Sequence, residues 1–171
     1  MDLRSLLTDL PSGMERDLLI GEIMHSDEHF ETLLRLALHE KDPLAWRAAW
    51  LLDGCDEKKP GMARKHIPGI VKALPGLKSV GSIRSLLRML TRHRIPENEQ
   101  GLLIDLCFTY LVSERCPVAV KAHAMQVIYN HVLIYPELKN ELIAVIEDQA
   151  ENNTAGFKAR GHILIKQMEK L

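Results

Sequence analysis

The feature that most constrains this chain is a sequence repeat with a period of 37 residues. Each repeat carries the same tripeptide, an apolar residue followed by a basic and then a small one, which begins at Trp46, Ile83, Val120 and Phe157. Chains that repeat with a period of roughly 20–50 residues fold as stacked copies of one supersecondary unit, because each unit buries its apolar face against the next. The sequence therefore predicts an array of four similar units.

Each unit is predicted to contain two helices. In the first repeat, Phe30, Leu33, Leu34 and Ala37 have the i, i+3, i+4, i+7 spacing of one helix face, and this spacing returns 37 residues later, from Ile67. The tripeptide then lies in the first turn of a second helix, because a candidate N-cap residue precedes it by four positions. These candidate N-caps are Asp42, Ser79 and Asn153. The predicted helix pairs are 27–39 with 43–54, 61–74 with 80–93, 97–113 with 117–133, and 136–150 with 154–169.

The pattern predicts an all-α fold, since no stretch alternates apolar and polar residues over the length of a strand. Residues 1–25 are expected to form one or two capping helices, which would cover the apolar face of the first repeat. We expect a single domain over residues 1–171. Its repeats are predicted at about 26–57, 58–95, 96–134 and 135–171.

Three segments, 30–52, 67–90 and 116–128, repeat one another most clearly. Asp42, Trp46 and Arg47 are similar to the aspartate and the Val-Arg pair at the start of a HEAT second helix, although the interval here is one residue shorter. Over about residues 26–169 the chain thus resembles the HEAT and armadillo repeat superfamily. The resemblance implies a right-handed α-α superhelix of about four HEAT-like helix pairs with an N-terminal capping helix or two. It implies no particular activity, because this architecture carries many functions.

Composition is that of a globular protein. Of the 171 residues, 46% are hydrophobic and 26% are charged, which is too apolar for an intrinsically disordered chain. No apolar run approaches the roughly 18 residues of a membrane span, so no membrane partner is predicted. The three cysteines form neither a CxxC motif nor an even disulfide set, which indicates a reduced, cytoplasmic protein. No cofactor fingerprint or metal-ligand motif is present, so no cofactor and no bound metal ion are predicted.

The net charge of −1 hides a strong segregation of charge along the chain. Residues 58–96 carry +10 and contain no Asp or Glu, whereas residues 1–57 carry −8 and residues 97–171 carry −3. The basic position of the tripeptide and two further arginines form what we call the cationic row of the second helices. The cationic row comprises Arg47, Arg84, Arg88, Arg92, Lys121 and Lys158. It either meets an anionic partner or is compensated internally by bonds to the neighbouring repeats.

One acidic residue departs from its repeat column. Asp53 occupies a position that is leucine or valine in the other three repeats, and it lies seven and three residues after Trp46 and Trp50. This arrangement is similar to that of HEAT-like DNA glycosylases for alkylated bases, which place an aspartate and tryptophans in a concave groove. The similarity implies a carboxylate that stabilises a cationic leaving nucleobase. The alternative is a structural Asp53 near the helix end that reaches solvent, Arg16 or Arg35.

Together these features predict a non-enzymatic scaffold that binds a protein or peptide, preferentially an acidic one, on the concave face formed by the second helices. The cationic row supplies its predicted binding residues. The alternative left open is a protein that contacts the phosphate backbone of DNA or RNA, with Asp53 as a candidate catalytic residue. Aromatic residues do not interleave the basic segment 88–94, so base stacking on a single strand is not predicted.

The register of the repeats can be tested at Ile83, which the alignment assigns to the core. We expect Ile83→Asp to unfold the middle of the array, because a buried carboxylate without a partner is strongly unfavourable. A thermal melt followed by circular dichroism measures this effect. An unchanged melt would contradict the proposed register.

Overall fold

The computed structural model describes residues 1–9 and 12–171 of the chain. Over these residues the fold consists of α-helices and short 3₁₀ turns, without strands. The predicted all-α fold of paired helices is therefore confirmed. The helices are α1 (Leu3–Leu6), α2 (Gly13–Ile23), α3 (Asp27–His39), α4 (Leu44–Lys58), α5 (Ile67–Ala73), α6 (Val80–Leu90), α7 (Glu97–Val112), α8 (Val118–Val132), α9 (Leu138–Ala150) and α10 (Ala155–Met168).

The chain divides into two compact units, residues 1–96 and 97–171. In the first unit, α4 packs on α2, α3 and α6, and α1 packs on α3. In the second unit, α8 packs on α7, α9 and α10. In each unit the other helices therefore pack around the second helix of its first predicted pair, α4 in one unit and α8 in the other. The single domain expected over residues 1–171 stays a prediction.

The helix starts agree with only part of the predicted capping. Ser79 caps α6, since its hydroxyl accepts a hydrogen bond from the N–H of Ser82 at 3.2 Å. The predicted caps Asp42 and Asn153 are wrong, because α4 begins after Pro43 without a side-chain cap and Thr154 caps α10. The Asp42 carboxylate instead accepts a hydrogen bond from the Ser79 hydroxyl at 2.6 Å, which joins the turns before α4 and α6.

The first helix of the second repeat is short because two prolines interrupt it. A 3₁₀ turn at Arg64–His66 leads into α5, which carries Pro68 in its first turn, where a missing N–H costs no hydrogen bond. Pro75 lies in a second 3₁₀ turn, Leu74–Gly76, which ends the helix. The predicted helix over 61–74 is thus divided into a turn and a helix of seven residues.

The repeated apolar column lies largely in the core. Ile83, Val120 and Phe157 are buried, with exposed fractions of 8%, 1% and 0%, while Trp46 is half-buried. Each fully buried aliphatic or aromatic side chain contributes about 1.5–3 kcal/mol to folding. The alignment therefore identified core positions in both units.

The three cysteines are free, as expected for reduced thiols. Cys55 and Cys107 are buried, and Cys116 is partly buried. Burial raises the pKa of Cys55 to about 12, so this thiol is neutral and unreactive at neutral pH. Across residues 1–9 and 12–171, no helix is both long and apolar enough to cross a bilayer.

Two second helices approach each other closely at Gly81. A Cβ atom built on Gly81 would lie 2.5 Å from the Cβ of Trp46, so α4 and α6 are in contact there. We expect Gly81→Ala to destabilise the first unit by about 1–3 kcal/mol, because the backbones must separate. Thermal or denaturant unfolding measures this change.

The control is Gly21→Ala, a helical glycine in the same unit with no atom within 4 Å of the added methyl group. It should stabilise the protein by up to about 1 kcal/mol, because alanine is the better helix former. Equal effects of the two substitutions would contradict the close approach.

Candidate functional site

Some of the residues singled out by the sequence meet between α4 and the end of α6. Asp53 lies on α4, and Arg84 and Arg88 lie on α6, with Arg92 just beyond its end. The two helices make the most extensive helix–helix packing of the first unit. The contact between them therefore brings together the candidate catalytic residue and two members of the cationic row, Arg88 and Arg92.

Asp53 is buried and carries two arginine partners. Its side chain is 4% exposed, and its Oδ2 atom accepts a hydrogen bond from Nη1 of Arg88. Its Oδ1 atom accepts from Nη2 of Arg92 at 2.8 Å, and the same nitrogen donates to the Asp53 carbonyl at 3.1 Å. Both carboxylate oxygens are therefore occupied by charge-assisted hydrogen bonds from the second repeat.

A second buried carboxylate lies one turn further along α4. Asp56 is 1% exposed, and Arg92 donates to its Oδ2 through Nη2 at 3.1 Å and through Nε at 3.3 Å. Nε2 of His93 lies 2.8 Å from both Asp56 oxygens, and the N–H of Ala63 donates to Oδ1 at 3.4 Å. We call Asp53, Asp56, Arg88, Arg92 and His93 the carboxylate cluster.

The outer edge of the carboxylate cluster is open to solvent. Nη2 of Arg88 donates to the half-exposed carboxylate of Glu57 at 2.8 Å. Partial burial lowers the pKa of Arg88, but the hydrogen bond and charge of Asp53, followed by those of Glu57, outweigh burial and raise it. Arg88 is thus a permanent cation whose charge is compensated within the fold.

The two tryptophans on α4 are covered by arginines from their own unit. The rings of Trp46 and Trp50 lie 6.3 Å apart at an angle of 50°. The guanidinium of Arg16 lies 4.4 Å from the Trp50 ring centroid, and that of Arg47 lies 5.6 Å from the Trp46 centroid. These cation–π contacts occupy aromatic surface that a nucleobase would need.

Arg47 also fastens the N-terminal segment to the first repeat. Its Nη1 atom donates to the carbonyl of Leu7 at 2.9 Å and to the carbonyl of Thr8. This member of the cationic row therefore bonds to a neighbouring element instead of projecting freely into solvent. The hydrogen bonds of Arg47 therefore fit the alternative in which the cationic row bonds to neighbouring parts of the fold.

The catalytic candidate Asp53 has the partners of a structural residue. The sequence suggested Arg16 or Arg35, whereas the structure supplies Arg88 and Arg92 from the next repeat. A carboxylate held by two guanidinium groups carries little free negative charge with which to stabilise a leaving cation. A catalytic role for Asp53 stays a prediction, and the geometry favours a structural one.

The remaining members of the cationic row lie in different environments. Arg84 and Lys158 are exposed, and across residues 1–9 and 12–171 neither side chain has an ion pair or hydrogen bond. Lys121 is 3% exposed, and its Nζ atom lies 3.4 Å from Oε1 of Gln149. The row is therefore not uniform, since Arg84 and Lys158 face solvent and Lys121 does not.

Sequence analysis did not identify Asp56 or His93 as members of this cluster. A signal was present, because Asp56 follows Asp53 by three residues and therefore lies on the same face of α4. The acid-free segment that begins at residue 58 supplies the opposing cations. Within the described chain, no group of three or more histidine, cysteine, aspartate or glutamate residues has the arrangement of a metal site.

Comparison with known proteins identifies one family. A sequence profile described as HEAT repeat domain matches residues 4–168, which is nearly the whole chain. No curated protein and no solved structure matches the sequence significantly.

The carboxylate cluster predicts that two neighbouring acidic residues on α4 contribute very differently to the free energy of unfolding. We expect Asp56→Asn to lower the free energy of unfolding by about 3–5 kcal/mol, because it leaves part of a buried charge network unpaired. Chemical denaturation measures this loss.

Glu57→Gln is the matched control. Its carboxylate is 50% exposed, and we expect a change below about 1 kcal/mol, as for most exposed ion pairs. Equal effects of the two substitutions would show that Asp56 contributes no more than a surface charge.

Proposed function

Because the chain belongs to the HEAT repeat family, whose domains generally serve as protein-interaction scaffolds, we propose that it binds a protein or peptide partner through its second helices. The proposed partner is acidic, and in the first unit it contacts the exposed side of α6. The proposal assigns no reaction to the protein. The free thiols support a reducing compartment, and we propose the cytoplasm as its location.

The observation that carries the proposal is the contrast between Arg84 and the two arginines that follow it, Arg88 and Arg92. Arg88 and Arg92, one and two turns further on, are held by the buried carboxylates Asp53 and Asp56. Arg84 is exposed, and no ion pair is formed by it in the described residues. An arginine that the fold does not use for its own stability is available to a carboxylate of a partner.

Apolar surface next to Arg84 adds to the same face. Val80 lies one turn before Arg84 and is 46% exposed, and Gly81 brings this turn against the half-buried Trp46. An exposed arginine beside exposed aliphatic surface is typical of protein-binding residues. A partner segment with an acidic residue next to an apolar one fits this combination.

The carboxylate cluster weighs against the alternative of a phosphate-backbone nucleic acid binder. Such binding requires many uncompensated cations, because affinity comes from the release of counterions. Arg88 and Arg92 face carboxylates, and Lys65 contacts Asp27 and Glu31 at 3.4 and 3.0 Å. The first unit therefore presents far less free positive charge than its sequence suggests.

Substitution of Arg84 tests the proposed face. Proteins captured from a lysate of the source cells by the wild-type chain should be lost with Arg84→Glu and retained with Lys170→Glu. The second substitution makes the same charge change at an exposed C-terminal residue. With a purified captured partner, we expect Arg84→Glu to weaken binding by about 1–3 kcal/mol, as for an interface arginine.

Fluorescence anisotropy with labelled duplex DNA tests the alternative of a protein that binds the phosphate backbone of nucleic acid. Binding at about 50 mM salt that falls steeply by about 200 mM would indicate phosphate contacts. If Arg84→Glu abolished that binding and left every protein partner unaffected, the protein-scaffold proposal would be wrong.

A further inference from the structure

We propose that the second unit contains a binding site for a phosphate group, formed around the buried ammonium of Lys121. The site is an open cavity of about 750 Å³ between the turn that precedes α8 and the turn that precedes α10. We call it the loop cavity. The residues that carry the argument are Cys116, Val118, Lys121, Gln149, Asn152 and Thr154.

Lys121 is a buried cation without a carboxylate. Its exposed fraction is 3%, and it lines the loop cavity. Its one hydrogen bond in the described chain is to the amide oxygen of Gln149 at 3.4 Å, which leaves two ammonium hydrogens unused. A buried charge is strongly unfavourable unless an opposite charge compensates it, so the cavity is suited to an anion.

The neighbouring carboxylates do not compensate Lys121 directly. The side chain of Gln149 donates through Nε2 to the exposed Asp148 at 3.0 Å and accepts from Lys121, so an amide separates the two charges. Glu114 lines the cavity but is exposed, and no contact within 4.0 Å joins it to Lys121. The interior of the cavity therefore keeps an uncompensated positive charge.

Two helices begin at the loop cavity. The first turns of α8 and α10 contain no acidic residue, and both helices are longer than ten residues. The N–H of Val118, the first residue of α8, has no backbone acceptor, because the residues before it are not helical. Helix N-termini carry partial positive charge and free N–H donors, which add to the charge of Lys121.

Arg115, an exposed cation, also lines the cavity, and the remaining polar groups around it are neutral hydrogen-bonding groups. Asn152 and the hydroxyl of Thr154 lie at the start of α10. Burial raises the pKa of Cys116, while the charge of Lys121 acts in the opposite direction, so the thiol is neutral and does not compete with an anion. An ammonium, a helix N–H and an amide together offer more donors than a carboxylate can accept, which favours a phosphate group.

Titration with inorganic phosphate tests the site, using the full chain and isothermal calorimetry in potassium chloride of matched ionic strength. We expect Lys121→Met to weaken phosphate binding by about tenfold or more, because it removes the charge that the anion neutralises. The matched control is Lys158→Met, at the corresponding position of the next repeat, where the side chain is exposed. It should leave phosphate affinity unchanged.

A second variant tests the helix terminus without changing charge. Val118→Pro removes the free N–H at a position where proline is well tolerated. We expect weaker phosphate binding with an unchanged thermal melt. Unchanged phosphate affinity would overturn the placement of phosphate at the start of α8. This variant also tests the site if Lys121→Met does not fold.

Two further ligands identify the source of the phosphate group. Tighter binding of a phosphoserine peptide than of inorganic phosphate would support a group carried by a partner, and equal binding would support a free phosphate compound. Absence of phosphate binding in the wild type, or equal binding of acetate, would overturn the proposal. The outcome is independent of the Arg84 face, which lies in the other unit.

Discussion

Two carboxylates buried on one helix of the first repeat depend on the second repeat for their partners. Asp53 and Asp56 lie in the interior, where an unpaired charge would be strongly destabilising, so α4 can pack on α6 only with Arg88, Arg92 and His93 in place. The apolar contacts between the two helices supply most of the attraction. The charges set the register, because a shift by one turn would separate each carboxylate from its partners.

These contacts explain part of the charge segregation along the sequence. A segment with a net charge of +10 next to one with a net charge of −8 could bind an oppositely charged partner, or the two segments could pair with each other inside the fold. The contacts of Arg88, Arg92 and Lys65 assign part of that charge to the fold itself. Both proposed sites rest on cations that the fold does not pair with carboxylates, Arg84 exposed on α6 and Lys121 buried on α8.

Periodicity was sufficient to predict the helices, and side-chain chemistry was not sufficient to predict the site. The four helix pairs followed from apolar spacing, because a helix face repeats on a scale that a single sequence displays. The caps at Asp42 and Asn153 were assigned wrongly, because several polar residues near a helix start compete for that role. The partners of Asp53 came from a different helix, and no local pattern specifies which side chains will meet across two repeats.

The cationic row shows the same limit. The six basic residues lie on the second helices or just after one, yet their surroundings differ. Arg47 bonds to backbone carbonyls, Arg88 belongs to the carboxylate cluster, and Lys121 is a buried side chain that lines an open cavity. Column position in a repeat predicts the direction of a side chain along the helix. The neighbouring repeats then decide whether that direction leads to solvent, and they differ in sequence.

The carboxylate cluster also bears on the order in which the chain folds during synthesis. The acids on α4 leave the ribosome well before the segment 88–93 that neutralises them. Until that segment emerges, the face of α4 that carries Asp53 and Asp56 lacks both the apolar surface and the cations of the second repeat, so the first repeat has little tendency to form a stable core by itself. The smallest nascent chain that folds stably should therefore contain both repeats, and a ribosome that pauses between them would hold an open intermediate accessible to chaperones.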